Sequence, residues 1–224
     1  MRRESPREEG AGRLRAVTMV RDEADGLRVA TPPSWAASMR PYVRELLLEQ
    51  AQLEKKAAAA AVQFLFRVPV AAEAHRELSA LAREELVHFE RTLRLLQRRG
   101  IDAATLEPSP YAEQLKAVVS RTMPERLADE LLVAAVIEAR SHERLHLLAG
   151  AFAAHDAELA GFYAELAQAE ERHAPLYVGL AAGLVGPATA DARHAAVLQH
   201  EADVLRALPW SPRLHSGWRG LAGG

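Results

Sequence analysis

The chain has 224 residues, a net charge of −2 and no cysteine, with hydrophobic residues at 49% and aromatics at only 5%. The lack of cysteine excludes disulfides, thiolate nucleophiles, zinc knuckles and a fused rubredoxin or iron–sulfur module, so any metal must bind through nitrogen and oxygen. The near-neutral balance excludes a global pull towards nucleic acid or anionic lipid, and an alanine- and leucine-rich composition predicts packed helices in a single domain.

Residues 1–30 are charged and contain glycine, which predicts a loose N-terminal arm ahead of a folded domain over 31–224. "MRRESPREEG" is charged and no apolar h-region follows it, so no secretory leader is expected. No run approaches about 18 uninterrupted apolar residues, so no membrane span is expected and the expected compartment is the cytoplasm. "TPPSW" at 31–35 punctuates the start of the domain, and Pro41 suits the first turn of a helix.

A first long helix is predicted over 41–66, ending before Pro69. A second, over 70–99, stops at Gly100, with Arg98 and Arg99 in the last turn, where the helix dipole favours cations. Residues 100–121 form a long connection, interrupted by Pro108 and Pro110, with one short amphipathic piece, "YAEQLKAVV". A third helix starts near "TMPERLADE", with Thr122 as a candidate cap, and runs to about 154. A fourth runs from near Asp156 to about 182, with Pro175 inside it and a kink expected there. After the break "GLVGPATAD", a fifth and shorter helix runs over 189–207 to Pro209, and the tail "SPRLHSGWRGLAGG" is not helical. Short loops make sequential helices antiparallel, whereas the long connection lets the second and third run parallel. The expected fold is all-α: a ferritin-like four-helix bundle with a long crossover between helices two and three, plus a fifth C-terminal helix.

Two stretches of this pattern carry chemistry. "LAREELVHFE" places Glu85 three residues before His88, and "LAQAEERHAP" places Glu170 three residues before His173. Residues three apart share one stripe of a helix. The helix before each doublet holds a lone acid: Glu54 precedes Glu85 by 31 residues, and Glu138 precedes Glu170 by 32. Each half is therefore a helical hairpin with one glutamate facing a Glu-x-x-His doublet. Glu138 follows the apolar run "LLVAAVI", where a carboxylate is costly unless it is paired or coordinated. Four carboxylates and two imidazoles converging in a bundle centre suit two iron or manganese ions.

Neighbouring groups compete for the same role. Glu84 lies four residues before His88, but its counterpart in the second copy is Ala169, so the repeat favours Glu85. Glu143 faces away from Glu138 and is a supporting candidate, and His142 and His146 lie off the stripe. Arg140 and Arg144 suit ion pairs with the acids better than phosphate contacts. Phe64 and Phe89 lie near the ligand stripes, as pocket lining or as core. The constellation alone leaves iron storage, peroxide scavenging, radical chemistry and dioxygen activation open.

The stretches "TPPSWAASMRPYVRELLLEQAQLEKKAAAAAVQFLFRVP", "LAREELVHFERTL", "VAAVIEARSHERL" and "PRLHSG" together resemble the bacterial tRNA hydroxylase family MiaE, over roughly residues 31–217. The resemblance implies a ferritin-like di-iron monooxygenase. Such an enzyme hydroxylates the isopentenyl side chain of 2-methylthio-N6-isopentenyladenosine, beside the tRNA anticodon. It also implies Glu54, Glu85, His88, Glu138, Glu170 and His173 as catalytic metal ligands to two irons, with O2 as co-substrate. The implied partners are the tRNA anticodon loop and an external electron donor of reductase or ferredoxin type. Arg67, Arg91, Arg140 and Arg213 are candidates to hold RNA backbone. Two rivals remain: a ferritin-like ferroxidase or iron-binding protein, and a di-iron oxygenase acting on a free apolar small molecule.

Overall fold

The computed structural model describes residues 26–69 and 71–218. Residues 1–25, most of the expected arm, and the last six residues of the tail lie outside them. The described residues hold α1 (Pro33–Met39), α2 (Val43–Leu65), α3 (Ala72–Arg98), α4 (Tyr111–Leu115), α5 (Glu125–Phe152), α6 (Ala157–Val185) and α7 (Pro187–Ala207). Apart from a single bridge between Trp210 and Gly217, no β-pairing occurs among the described residues.

The helix predicted over 41–66 forms as α2, and a short helix that the sequence pattern does not predict, α1, precedes it. Pro33 opens α1 at its first turn, a 3-10 turn over Arg40–Tyr42 follows, and Tyr42 leaves helical geometry (φ −111°, ψ 36°) before α2 begins. Thr122 does not cap α5. Its backbone carbonyl accepts from the Arg126 amide, and the N-cap is Pro124, with no side-chain cap. Asp156 does cap α6, its carboxylate accepting from the Leu159 amide at 3.0 Å. The helix then runs on through Pro175 to Val185.

Six residues join α2 to α3 and four join α5 to α6, so each pair packs as an antiparallel hairpin. Ion pairs Glu84–Arg172, Arg91–Glu165 and Arg98–Glu158 step in opposite directions along α3 and α6, so these two helices are also antiparallel. The second and third long helices, α3 and α5, consequently run parallel, as the long crossover demands. Helix α7 packs on α5 and α6. No described helix is long and apolar enough to cross a membrane.

The core lies in two apolar clusters. One contains Ala61, Phe64, Leu81, Leu132, Val136, Tyr177 and Ala181. The other contains Trp35, Leu47, Ala51, Leu95, Leu145, Phe152, Tyr163 and Leu166. On each of the four long helices a short polar interval separates the two, and the six residues singled out above occupy those intervals.

Candidate metal centre

All six residues are buried: Glu54, Glu85, His88, Glu138, Glu170 and His173 are each at most 6% exposed. The fold brings them together as two groups. Glu85, Glu138, Glu170 and His173 each offer one donor atom, and these atoms lie within 4.8 Å of one another; Glu54, Glu85 and His88 do the same. Glu85 belongs to both. His173 Nδ1 lies 2.9 Å from Glu85 Oε1 and 3.2 Å from Glu170 Oε2. His88 Nδ1 lies 3.5 Å from Glu85 Oε2 and 3.7 Å from Glu54 Oε2.

Whether a metal fits can be judged from these atoms. Both Glu85 oxygens and His88 Nδ1 are buried, yet none makes a hydrogen bond of proper geometry. Buried polar atoms are normally satisfied. A cation shared by these donors would satisfy them. Oxygen and imidazole donors without thiolate suit iron or manganese. The residues fit.

The electrostatics agree. Burial pushes the Glu54 carboxyl up to about 8. Burial raises Glu138, and burial together with the charges of Glu138 and Glu85 raises Glu170 well above the carboxylate range. Burial opposes charge on Glu85 too, but the imidazoles of His173 and His88 outweigh it and hold Glu85 well below that range. Burial likewise opposes charge on the two histidines. Glu54 and Glu85 nevertheless raise His88 to about 9, and Glu85 and Glu138 raise His173 to about 9. Three of the four converging carboxyl groups are thus biased towards holding protons that an acid in water would release, and Glu85 keeps its charge beside the two imidazoles.

Two neighbours of the cluster, Gln50 and Tyr177, escaped the motif reading, and a third, Glu84, is set aside by the repeat in favour of Glu85. Gln50 donates to Glu54 Oε1 at 2.7 Å and orients that carboxylate. Tyr177 is fully buried with its hydroxyl unpartnered, its ring edge-on to Phe64 at 5.5 Å. Glu84 lies 3.2 Å from His173 Nε2. Gln50 and Tyr177 were detectable in principle, each being one turn along the stripe from a ligand candidate. Phe64 is core, whereas Phe89 is only partly buried and lies beneath Lys55, 5.5 Å from the ring centroid.

The arginines divide differently from the RNA-contact reading. Arg140 is fully buried and binds both Glu201 oxygens, at 2.8 and 3.0 Å, and Glu143 as well, so it is no RNA contact. Arg144 is also fully buried, bonded to Thr31 Oγ1 and to the Leu214 carbonyl and stacked on Trp35 at 4.7 Å. Glu143 turns away from the cluster and accepts from both the amide and the hydroxyl of Thr31. Arg67 and Arg91 pair with Glu130 and Glu165. His142 Nδ1 meets the Ala167 carbonyl at 2.8 Å, a support between α5 and α6.

With this geometry in place, comparison with known proteins is informative. A Pseudomonas putida protein named tRNA 2-(methylsulfanyl)-N(6)-isopentenyladenosine(37) hydroxylase is 37% identical over 151 residues, covering 67% of this chain and 72% of its own. A Salmonella typhimurium protein of the same name is 34% identical over 137 residues, 61% of this chain and 49% of its own. A solved structure titled "Protein 43 with aldehyde deformylating oxygenase activity from Synechococcus" superposes with a TM-score of 0.77 at 36% identity, covering 85% of this chain and 96% of that one. Residues 18–216 match the family described as tRNA-(MS[2]IO[6]A)-hydroxylase (MiaE), and the chain belongs to that family.

Proposed function

We propose that the chain is an O2-dependent di-iron monooxygenase that hydroxylates the isopentenyl side chain of 2-methylsulfanyl-N6-isopentenyladenosine at position 37 of tRNA. The observation that carries this reading is the pair of buried donor groups joined through Glu85, taken with the family to which the chain belongs. Glu54, Glu85 and His88 would hold one iron, and Glu85, Glu138, Glu170 and His173 the other. When bound, the two irons supply the reduction of O2 that a side chain cannot perform.

The residues supply the rest. Carboxylates outnumber imidazoles four to two, which favours oxidised iron. Gln50 fixes one oxygen of Glu54. The apolar clusters above and below the polar layer keep water from competing with substrate for the reacting centre. A base beside the anticodon lies in an unpaired loop and can be turned out towards a recessed centre. Without cysteine the chain has no iron–sulfur relay of its own, so electrons come from a separate donor.

The Synechococcus neighbour supports a second reading, oxygenation of a free aldehyde, and one experiment separates the two. The chain is expressed in a host that makes the isopentenylated base but cannot hydroxylate it, and tRNA nucleosides are read by mass spectrometry. One added oxygen on that nucleoside, lost in Glu138→Ala, is the expected result. Folded, iron-loaded protein that leaves the nucleoside unchanged but deformylates an aldehyde would establish the second reading instead.

A further inference from the structure

The two halves of the site repeat each other with one exception. Glu84 precedes Glu85 in the first doublet, and Ala169 precedes Glu170 in the second. Glu84 does not turn towards His88 on its own helix. It crosses to α6, where its Oε2 lies 3.2 Å from His173 Nε2. Its other oxygen accepts from Arg172 Nη2 at 2.6 Å, so both oxygens are held. The Glu84 side chain is 34% exposed and Arg172 is 57% exposed, so core packing does not account for an acid here. His173 meanwhile points Nδ1 into the donor cluster. A ring bonded to a carboxylate through Nε2–H has one tautomer and one orientation, both suited to presenting Nδ1 to a metal.

His88 has no such support. Its Nδ1 faces Glu54 and Glu85, and among the described residues no carboxylate meets its Nε2. The repeat explains why: the position equivalent to Glu84 holds Ala169, which has nothing to accept with.

We propose that Glu84 is a positioning residue for His173, so that the two metal positions, which already differ by one carboxylate, differ also in how firmly their histidine is preformed. The inference rests on the two-metal reading above. It predicts that the His173 position binds metal more tightly than the His88 position, and that Glu84 contributes to the difference beyond the extra carboxylate.

The test is anaerobic titration of the full chain with Co2+, followed by calorimetry and by the visible absorbance of the bound ion. Wild type takes up two ions per chain. Glu84→Ala weakens one of them by about 10–100-fold, the usual effect of removing a ligand's hydrogen-bond partner, and leaves the other within about threefold. Glu84→Gln keeps an acceptor oxygen of the same reach and restores most of the loss. In a His88→Ala background Glu84→Ala weakens the remaining ion, whereas in a His173→Ala background it has no further effect. A merely structural Glu84 would lower the melting temperature of metal-free protein without this selectivity. Two unchanged affinities, two equally weakened ones, or a further loss in the His173→Ala background would overturn the inference while leaving the metal reading intact. Wild type that binds fewer than two ions would overturn both.

Discussion

Individual residues in the centre trade stability for metal binding. His88 and His173, both raised to about 9, carry protons at neutral pH in metal-free protein. Binding at pH 7 should therefore release at least two protons, one from each imidazole, with more from the carboxyls that burial keeps protonated, because metal and proton compete for the same donor atoms. The sign follows: affinity rises with pH towards 9 and falls as the solution is made more acidic. Calorimetry in two buffers of different ionisation enthalpy measures the release directly, and equal heats in both would contradict it. Glu170 shows the cost from the other side. Its carboxyl is raised by burial and by Glu138 and Glu85, so this contribution to stability is present below the unfolded value near 4.5 and shrinks as pH rises above it. Glu170→Gln mimics the protonated acid and should stabilise metal-free protein at pH 7, while abolishing uptake at the His173 position. Chemical denaturation with and without Co2+ tests both halves.

At the scale of elements, the seam between α3 and α6 is laced by charge. Glu84–Arg172, Arg91–Glu165 and Arg98–Glu158 recur every seven residues along both helices. Exposed pairs of this kind contribute little each, so the seam's firmest point is its end. There Arg99 grips both Asp156 oxygens, at 2.6 and 2.9 Å, while Asp156 Oδ1 also caps α6. Asp156→Ala should cost about 1 kcal/mol for the lost cap. Urea unfolding reads this, and Glu158→Ala should cost clearly less because Glu158 is half-exposed and caps no helix.

Across the whole molecule, a buried polar network ties distant segments to α5. Arg140 binds Glu201 of α7 and the Val29 carbonyl, Tyr111 of the crossover donates to Glu201 at 3.0 Å, and Ser109 donates to the His215 carbonyl at 2.6 Å. The tail is held between Arg144, which bonds the Leu214 carbonyl, and Glu49, which accepts from the Leu214 amide. Gly217 is required by the close approach of the tail to the backbone at Leu208: a Cβ there would lie 1.9 Å from the Leu208 carbonyl oxygen. Gly217→Ala should destabilise the chain by about 1–3 kcal/mol through overpacking and expose the tail to proteolysis. A wild-type melting curve and an intact C-terminus after limited digestion would refute this.

The sequence by itself determined the long helices, their order and the six-residue constellation, because these follow from local rules. Three-residue spacing puts Glu85 with His88 and Glu170 with His173, and loop length sets which helices are antiparallel. Those six residues converge as the spacing implied. Tertiary structure alone decided what depends on how each helix is rotated against its neighbour. Nothing local tells Glu84 to serve the histidine of the other hairpin rather than its own. Nor does anything local bury Arg140 and Arg144, whose partners other than Glu143 lie 61 to 113 residues away in sequence. The end of a long polar side chain is placed by packing between helices, which one helix's periodicity does not contain.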